Sequence, residues 1–359
     1  MKRIVVSVSN DLVTDQRVAK ICRTLHELDY EILLIGRKNY SPFVVNRDYK
    51  TKRMRMLFNK GFLFYAELNI RLFFLLFFTK KDILFSNDLD TLLPNYLVSK
   101  IQGKELIFDS HELFSEIPEL TNRKFVKSVW HRLEKWMLPK LKKVITVSDS
   151  IKKHYQDLYK IQVTVVRNLP DLQEINQNPF PFSIKGKTVI VYQGAINVGR
   201  GLELMIGTMK LLENHLLVII GTGDIIDVLE AKVLNEKLEN SVKFMGKILP
   251  EDLKRLTSNA DIGISLEEDL GLNYRYALPN KVFDYIHAEI PVIASDLPEM
   301  KKLIQKYQVG EIIKERTSEE LAKLIEEVAQ KDYTKALSVA KQELNWSREK
   351  VKLIKLLQS

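Results

Sequence analysis

Short, continuous apolar runs rich in Val and Ile alternate with longer amphipathic segments along this chain, and the alternation starts twice. In the first half the runs fall at residues 3–8, 31–35, 53–58, 83–86, 105–108, 144–147 and 163–166. Helical periodicity fills residues 15–28, 62–78, 91–100, 123–138 and 151–158. Strands apolar on both faces and separated by helices belong to a parallel sheet covered on both sides. After Asn168-Leu169-Pro170-Asp171 and a polar stretch to Pro181, the pattern restarts. Strands are expected at 188–192, 216–220, 242–245, 262–265 and 291–294, with helices at 202–212, 225–238, 251–256, 281–288, 299–304 and 319–329. The expected fold is α/β, two doubly wound Rossmann-like domains (1–170 and 171–334) facing a central cleft. Ligands of such sheets bind beyond the carboxyl ends of the strands.

The 359 residues suit about two domains, and 45% apolar with 28% charged residues excludes a disordered or fibrous chain. Cys22 stands alone, so no internal disulfide forms and a reducing compartment is expected. The opening MKRIVVSVSND has too short an apolar run to read as a signal peptide. The longest apolar stretch, 61–79, is broken by Glu67, Asn69 and Arg71, which makes a poor membrane span. It reads as a helix packed in the fold, with partial insertion into a membrane surface as the alternative. Charge is uneven: residues 1–170 carry 30 basic and 18 acidic side chains, +12, whereas 171–359 carry 25 and 28, −3. An anionic partner should meet the first half.

Chemistry-bearing residues cluster where strands end. Ser7-Val8-Ser9-Asn10-Asp11 leads into a helix opening near Thr14-Asp15, with Arg17 in its first turn. Such a loop offers backbone amides to an anion or a hydroxyl-rich ligand, although Asp15 is equally a plain cap. No GxGxxG occurs there, which counts against a nicotinamide cofactor. Ser86-Asn87-Asp88-Leu89-Asp90 and Asp109-Ser110-His111-Glu112 close two further strands; His111 is either a site residue or a satisfied structural one. Asp88 and Asp90 lack a third ligand at useful spacing, so no metal is assigned. In the second half Gly199-Arg200-Gly201 and Gly221-Thr222-Gly223 follow strands; the glycines permit close approach and Arg200 supplies charge for a phosphate. Within ALPNKVFDYIHAEIPVIAS, Pro279 suits the first turn of a helix and Asn280 its cap. Lys281 and Asp284 lie beside that helix start, for a diphosphate and for ribose hydroxyls respectively, unless they form a simple surface pair.

Taken together, VSNDLVTDQRVAKICRTLHELDYEILLIGR, FSNDLDTLLP, FDSHELFSE, VYQGAINVGRGLELMI, VIIGTGD and LPNKVFDYIHAEIPVIAS resemble the family 4 glycosyltransferases of GT-B fold, especially bacterial ones that build surface polysaccharides. The resemblance implies sugar transfer from a nucleotide diphosphate donor, UDP-sugar before GDP-sugar, to a lipid-linked or glycan acceptor. It implies retention of configuration and no resident cofactor or metal. By it, His111, Arg200 and Lys281 serve the reaction centre. Gly199, Gly201, Gly221, Gly223, Asn280 and Asp284 serve the donor, and Asp15, Arg17, Asn87, Asp88 and Glu112 the acceptor side. Two positions depart from the family pattern. Tyr276 stands where a Glu is usual, with Glu267 or Glu268 as alternatives, and Ala195 stands where an Arg is usual.

The resemblance also implies that residues 335–359 return to the first domain, which raises its charge to +16 and lowers the other to −7. In 123–143 the residues Phe125, Val129, Trp130, Leu133 and Met137 share a helical face between basic residues, the composition of an interfacial helix. The expectation is a cytoplasmic protein, peripheral on the inner face of the membrane, with no nucleic-acid motif. A non-catalytic scaffold and a sugar-nucleotide epimerase of the same architecture are the rival readings.

Overall fold

The computed structural model describes residues 1–13, 15–38, 44–117, 123–174 and 178–358. Thr14 of the first loop and 175–177 of the linker lie outside them. Two compact units form, Met1–Arg167 with Lys350–Ser359, and Asn168–Glu349. The expected return to the first unit therefore begins at 350, not 335. The units carry 33 basic and 18 acidic residues, +15, and 22 and 28, −6.

Among the described residues, the first unit has seven parallel strands. They are β1 (Arg3–Asp11), β2 (Glu31–Arg37), β3 (Lys50–Met54), β4 (Ile83–Asn87), β5 (Glu105–Ser110), β6 (Lys143–Thr146) and β7 (Thr164–Val165), in the order 3-2-1-4-5-6-7. Its helices are α1 (Gln16–Glu27), α2 (Gly61–Phe78), α3 (Leu89–Gln102), α4 (Lys124–Met137) and α5 (Asp149–Tyr159). β3 lies a few residues before the expected strand. The amides of Leu57 and Phe58 donate to the Glu67 carboxylate, which turns the chain into α2 instead of extending the ladder.

The second unit has β8 (Thr188–Gln193), β9 (His215–Ile220), β10 (Val242–Phe244), β11 (Ile262–Ser265), β12 (Val292–Ser295) and β13 (Gly310–Ile313), in the order 10-9-8-11-12-13. Around it lie α6 (Leu202–Thr208), α7 (Ile226–Asn235), α8 (Pro250–Thr257), α9 (Leu272–Arg275), α10 (Asn280–His287), α11 (Pro298–Tyr307), α12 (Ser318–Gln330) and α13 (Thr334–Glu343). The last helix, α14 (Trp346–Gln358), begins in this unit and ends in the first. Alternate residues of one strand feed two cores: Leu216, Val218 and Ile220 on one face of β9, Leu217 and Ile219 on the other. That double burial is why the strand is an unbroken apolar run. β13, α9 and α13 are additions to the expected elements. α13 packs on α10 and α11 and contributes Leu337 and Ala340 to the core.

Two helices depart from their expected surfaces. On α4 the expected face is divided: Trp130 packs against Tyr65 and Phe114 and Met137 is fully buried, while Phe125 and Val129 on the same face are exposed and Leu133 is half-buried. On α2, Phe64, Leu68, Leu72 and Leu76 are buried, while Phe62, Ile70, Phe74 and Phe78 on the opposite side are exposed. Among the described residues α2 is the one helix long and apolar enough to cross a membrane, with 22% of it buried.

Candidate functional site

Both sheets gather polar side chains at their carboxyl ends. In the first unit the centre is Asp109, the penultimate residue of β5 and fully buried. Arg17 on α1 grips it with Nε at 2.9 Å and Nη2 at 2.6 Å, and sends Nη1 to the Val166 carbonyl at 2.7 Å. Burial works to raise the Asp109 pKa, but Arg17 and then His111 override it and hold the carboxyl below the usual range. His111 follows β5. Its Nδ1 lies 3.1 Å from Asp88 and its Nε2 lies 3.3 Å from Asp109 and 3.2 Å from the Asn87 carbonyl oxygen. Its backbone amide also donates to Asp88, at 2.8 Å. Burial would lower the imidazole pKa, yet the two carboxylates raise it well above the ordinary value. Both ring nitrogens therefore face carboxylate oxygens, a setting that favours the protonated imidazole.

The other acceptor-side residues divide. Asp15 is the cap of α1, accepting from the Val18 amide at 3.0 Å and from Asn10 at 3.2 Å. Arg17 is 4% exposed and Asn87, which donates to the Ser7 carbonyl, is fully buried. Both are ties inside the site and neither can touch an acceptor. Asp88 and Glu112 are partly exposed at its surface. Asp88 reaches His111 only because its backbone adopts φ 57° at the entry to α3. Asp90 points elsewhere: it is buried, its Oδ1 has no partner among the described residues, and burial followed by the Asp88 charge pushes its pKa up to about 7.

In the second unit the centre is Glu267, two residues past β11 and 0% exposed. Its carboxylate accepts from Ser265 at 2.7 Å and from Lys281 at 2.9 Å, with Arg200 Nη1 at 3.5 Å. Burial works to raise its pKa, and Lys281 and Arg200 outweigh this and lower it. The Lys281 ammonium sits 4.0 Å from the Tyr192 ring centroid and the Arg200 guanidinium 4.8 Å from that of Tyr274. Two cations sharing one carboxylate leave a net charge of +1 at the sheet edge. Lys281 is directed to Glu267, where a simple Lys281–Asp284 surface pair was the alternative expectation. Asp284 instead accepts from Gln193 at 2.8 Å, and Gln193 accepts from Thr257 at 2.6 Å.

Loop contacts fix this arrangement. A Cβ on Gly221 would stand 1.8 Å from the Gly194 carbonyl oxygen, and one on Gly201, at φ +72°, would stand 2.4 Å from that of Leu266. Gly199 and Gly223 are likewise packed too closely for a side chain, against Leu270 and Tyr274 and against Ile196 respectively. The capping expectation at α10 shifts by one residue. Pro279, at ψ 137°, precedes the helix and Asn280 is its exposed first residue, with no side-chain cap. α6 lasts only seven residues, so little dipole accumulates behind Gly201. A cation missed in the sequence, Arg316, donates to Ser295 and to the Leu266 and Glu267 carbonyls, holding the loop that carries Glu267. Its place after β13, a strand not expected, hid it.

Two parallel sheets with alternating helices and polar groups at the strand ends define the GT-B class of two-domain α/β proteins. Two family models match in succession, Glycosyltransferase Family 4 over residues 15–174 and Glycosyl transferases group 1 over residues 174–345. The chain belongs to these family 4-like GT-B glycosyltransferases. It is 26% identical over 257 residues to a chitobiosyldiphosphodolichol beta-mannosyltransferase of Candida albicans, covering 62% of this chain and 54% of that protein. It spans about half the length of the curated relatives it matches. Among solved structures, sucrose-phosphate synthase of Thermosynechococcus elongatus shares the fold at TM-score 0.81 and 15% identity, over 100% of this chain and 98% of that one. Anabaena HepE in complex with UDP and glucose does so at TM-score 0.76 and 14% identity, over all of both chains.

Proposed function

We propose that this protein transfers a sugar from a nucleotide diphosphate donor, UDP-sugar before others, to a lipid-linked or polysaccharide acceptor. It works at the inner face of the membrane, with retention and without a catalytic metal. The Arg200–Glu267–Lys281 cluster carries the reading. A departing nucleoside diphosphate gains negative charge as the glycosidic bond breaks. Arg200 and Lys281, fixed in place by Glu267, stabilise that charge without reorganising. Asp284, half-buried one turn into α10, takes the ribose hydroxyls. In the first unit His111, held by Asp88 and Asp109, presents a fixed polar surface to the acceptor hydroxyl. UDP is favoured because the similarly folded HepE was solved with UDP and glucose. A lipid-linked acceptor accords with the name of the Candida relative.

The test is thermal unfolding with UDP, GDP, dTDP and CMP in parallel, followed by transfer assays of Arg200→Ala and Lys281→Ala. One nucleotide should stabilise the fold, by about 2.7 kcal/mol at 100 times its dissociation constant. Each substitution should slow turnover about 10²-fold with folding intact. Unchanged rates in both variants would refute the assignment, and sugar isomers formed without an acceptor would replace it with epimerisation.

A further inference from the structure

The exposed side of α2 remains unexplained by sugar transfer. Phe62, Ile70, Phe74 and Phe78 recur at multiples of four residues and form one outward stripe, opposite the buried stripe of Phe64, Leu68, Leu72 and Leu76. Leu57 and Leu63 extend it at the amino end, also exposed. A soluble helix places polar residues on its outer side; this one does not.

The stripe ends in a pocket of about 410 Å³ at the amino ends of β1, β4 and β5, the edge opposite the His111 loop. Phe77 and Phe78 form its apolar wall, and Arg3, Lys80, Lys81 and Lys104 surround it, against a single carboxylate, Asp82. Lys81 is buried and turned inward, donating to the Leu76 and Thr79 carbonyls and to Gln102. Arg3 is paired with Glu31 at 2.8 Å, and Asp82 accepts from the Arg3 amide. Lys80 and Lys104 are the cations left over: neither makes an ion pair among the described residues. Burial and then the neighbouring Lys104 lower the Lys81 pKa, as expected where positive charges outnumber their partners.

We propose that α2 is the membrane-docking element: its outer stripe enters the interface of an anionic bilayer, and the pocket at its carboxyl end receives a lipid phosphate between Lys80 and Lys104. Charge complementarity selects this occupant. Lys60 precedes the amino end of the stripe and Lys80 and Lys104 lie at the other, so a second copy stacked on it would set cations against cations. An anionic lipid surface neutralises both ends. Spanning is not the mode, because the inner stripe is committed to the core and Glu67 and Arg71 form an ion pair on the helix. The inference rests on, and deepens, the membrane aspect of the function proposed above.

The test uses the full chain and two vesicle types, phosphatidylcholine alone and phosphatidylcholine mixed with phosphatidylglycerol, with co-sedimentation as readout. The wild type should bind the mixed vesicles and much less of the neutral ones. Lys80→Ala with Lys104→Ala should lower binding to mixed vesicles about fivefold per lysine. Phe74→Ser with Phe78→Ser should lower binding to both types by about tenfold or more. The nucleotide-induced thermal shift, which reads the other unit, should be unchanged in both variants. A wild type that ignores phosphatidylglycerol, or either double variant binding as the wild type does, overturns the inference. So does self-association lost in the Phe variant while vesicle binding persists, which would mean that a second copy covers the stripe. Absence of any nucleotide shift in the wild type would instead strike the donor reading and leave the vesicle result standing.

Discussion

Replacing Glu267 by Gln keeps the shape of the side chain and removes its charge. In the free protein Lys281, at 2.9 Å, and Arg200, at 3.5 Å, then lose their shared counter-ion, and Lys281 is only 8% exposed. Breaking a buried pair on one side costs about 3–5 kcal/mol, and the retained amide oxygen of Gln places this case near the lower figure. For a unit the size of Asn168–Glu349 each kcal/mol moves the melting temperature by about 2–4 °C, so a fall of about 6–12 °C is expected. With UDP present the loss is partly reversed, because the diphosphate meets two uncompensated cations instead of one net charge. A tenfold gain in affinity would add about 1.4 kcal/mol to the nucleotide-induced shift. The assay is thermal unfolding of wild type and Glu267→Gln with and without UDP. Glu268→Gln is the control, since its exposed contact with Arg316 at 3.6 Å contributes at most about 1 kcal/mol. A Glu267→Gln protein with an unchanged melting temperature, or with a UDP shift no larger than the wild type's, would refute the reasoning. Acid adds a second check. Because the folded pKa of Glu267 is lowered from 4.5, its contribution is present above pH 4.5 and lost as pH falls through the folded value. That limb should be missing from the variant.

Three further outcomes follow from the same geometry. The folded pKa of His111 is raised, so its ion pairs stabilise fully below pH 6.5 and fade as pH rises through the folded value; the gap in melting temperature between wild type and His111→Gln should close over that range, and a constant gap would refute it. Asp90, pushed from 3.8 up to about 7, makes the wild type lose stability between those values as pH rises, so Asp90→Asn should gain on it above neutrality and match it in acid; parallel pH curves would count against a carboxyl whose pKa is raised by burial. Gly221→Ala must push apart backbones that approach to contact, and both stability and the nucleotide-induced shift should fall, measured in the same thermal assay.

The fold was legible wherever one run of residues meets two buried faces. His215–Ile220 needs no partner to read as a central strand, because both cores draw on it. Gly310–Ile313 gave no such signal: it is a half-buried edge strand, with Glu311 turned to Lys331 and Tyr333. Sites were legible as places and not as roles. Position at a strand end located His111 and position at a helix start located Lys281, but their surroundings depend on Asp88, Asp109 and Glu267, brought in by tertiary packing. Arg17 and Asp109 lie 92 residues apart and meet bidentately; no spacing rule links them. Glu267 and Glu268 are adjacent and chemically identical, yet one is the buried counter-ion of two cations and the other sits at the surface. Surface assignment was the least legible part, for one reason. Amphipathic periodicity reports that a helix has two different faces, not which one the protein covers. On α4 the apolar face is shared, with Trp130 and Met137 in the core and Phe125 and Val129 left outside. On α2 periodicity is nearly absent because the inner and outer stripes are both apolar, and only packing reveals that the outer one was left for another partner.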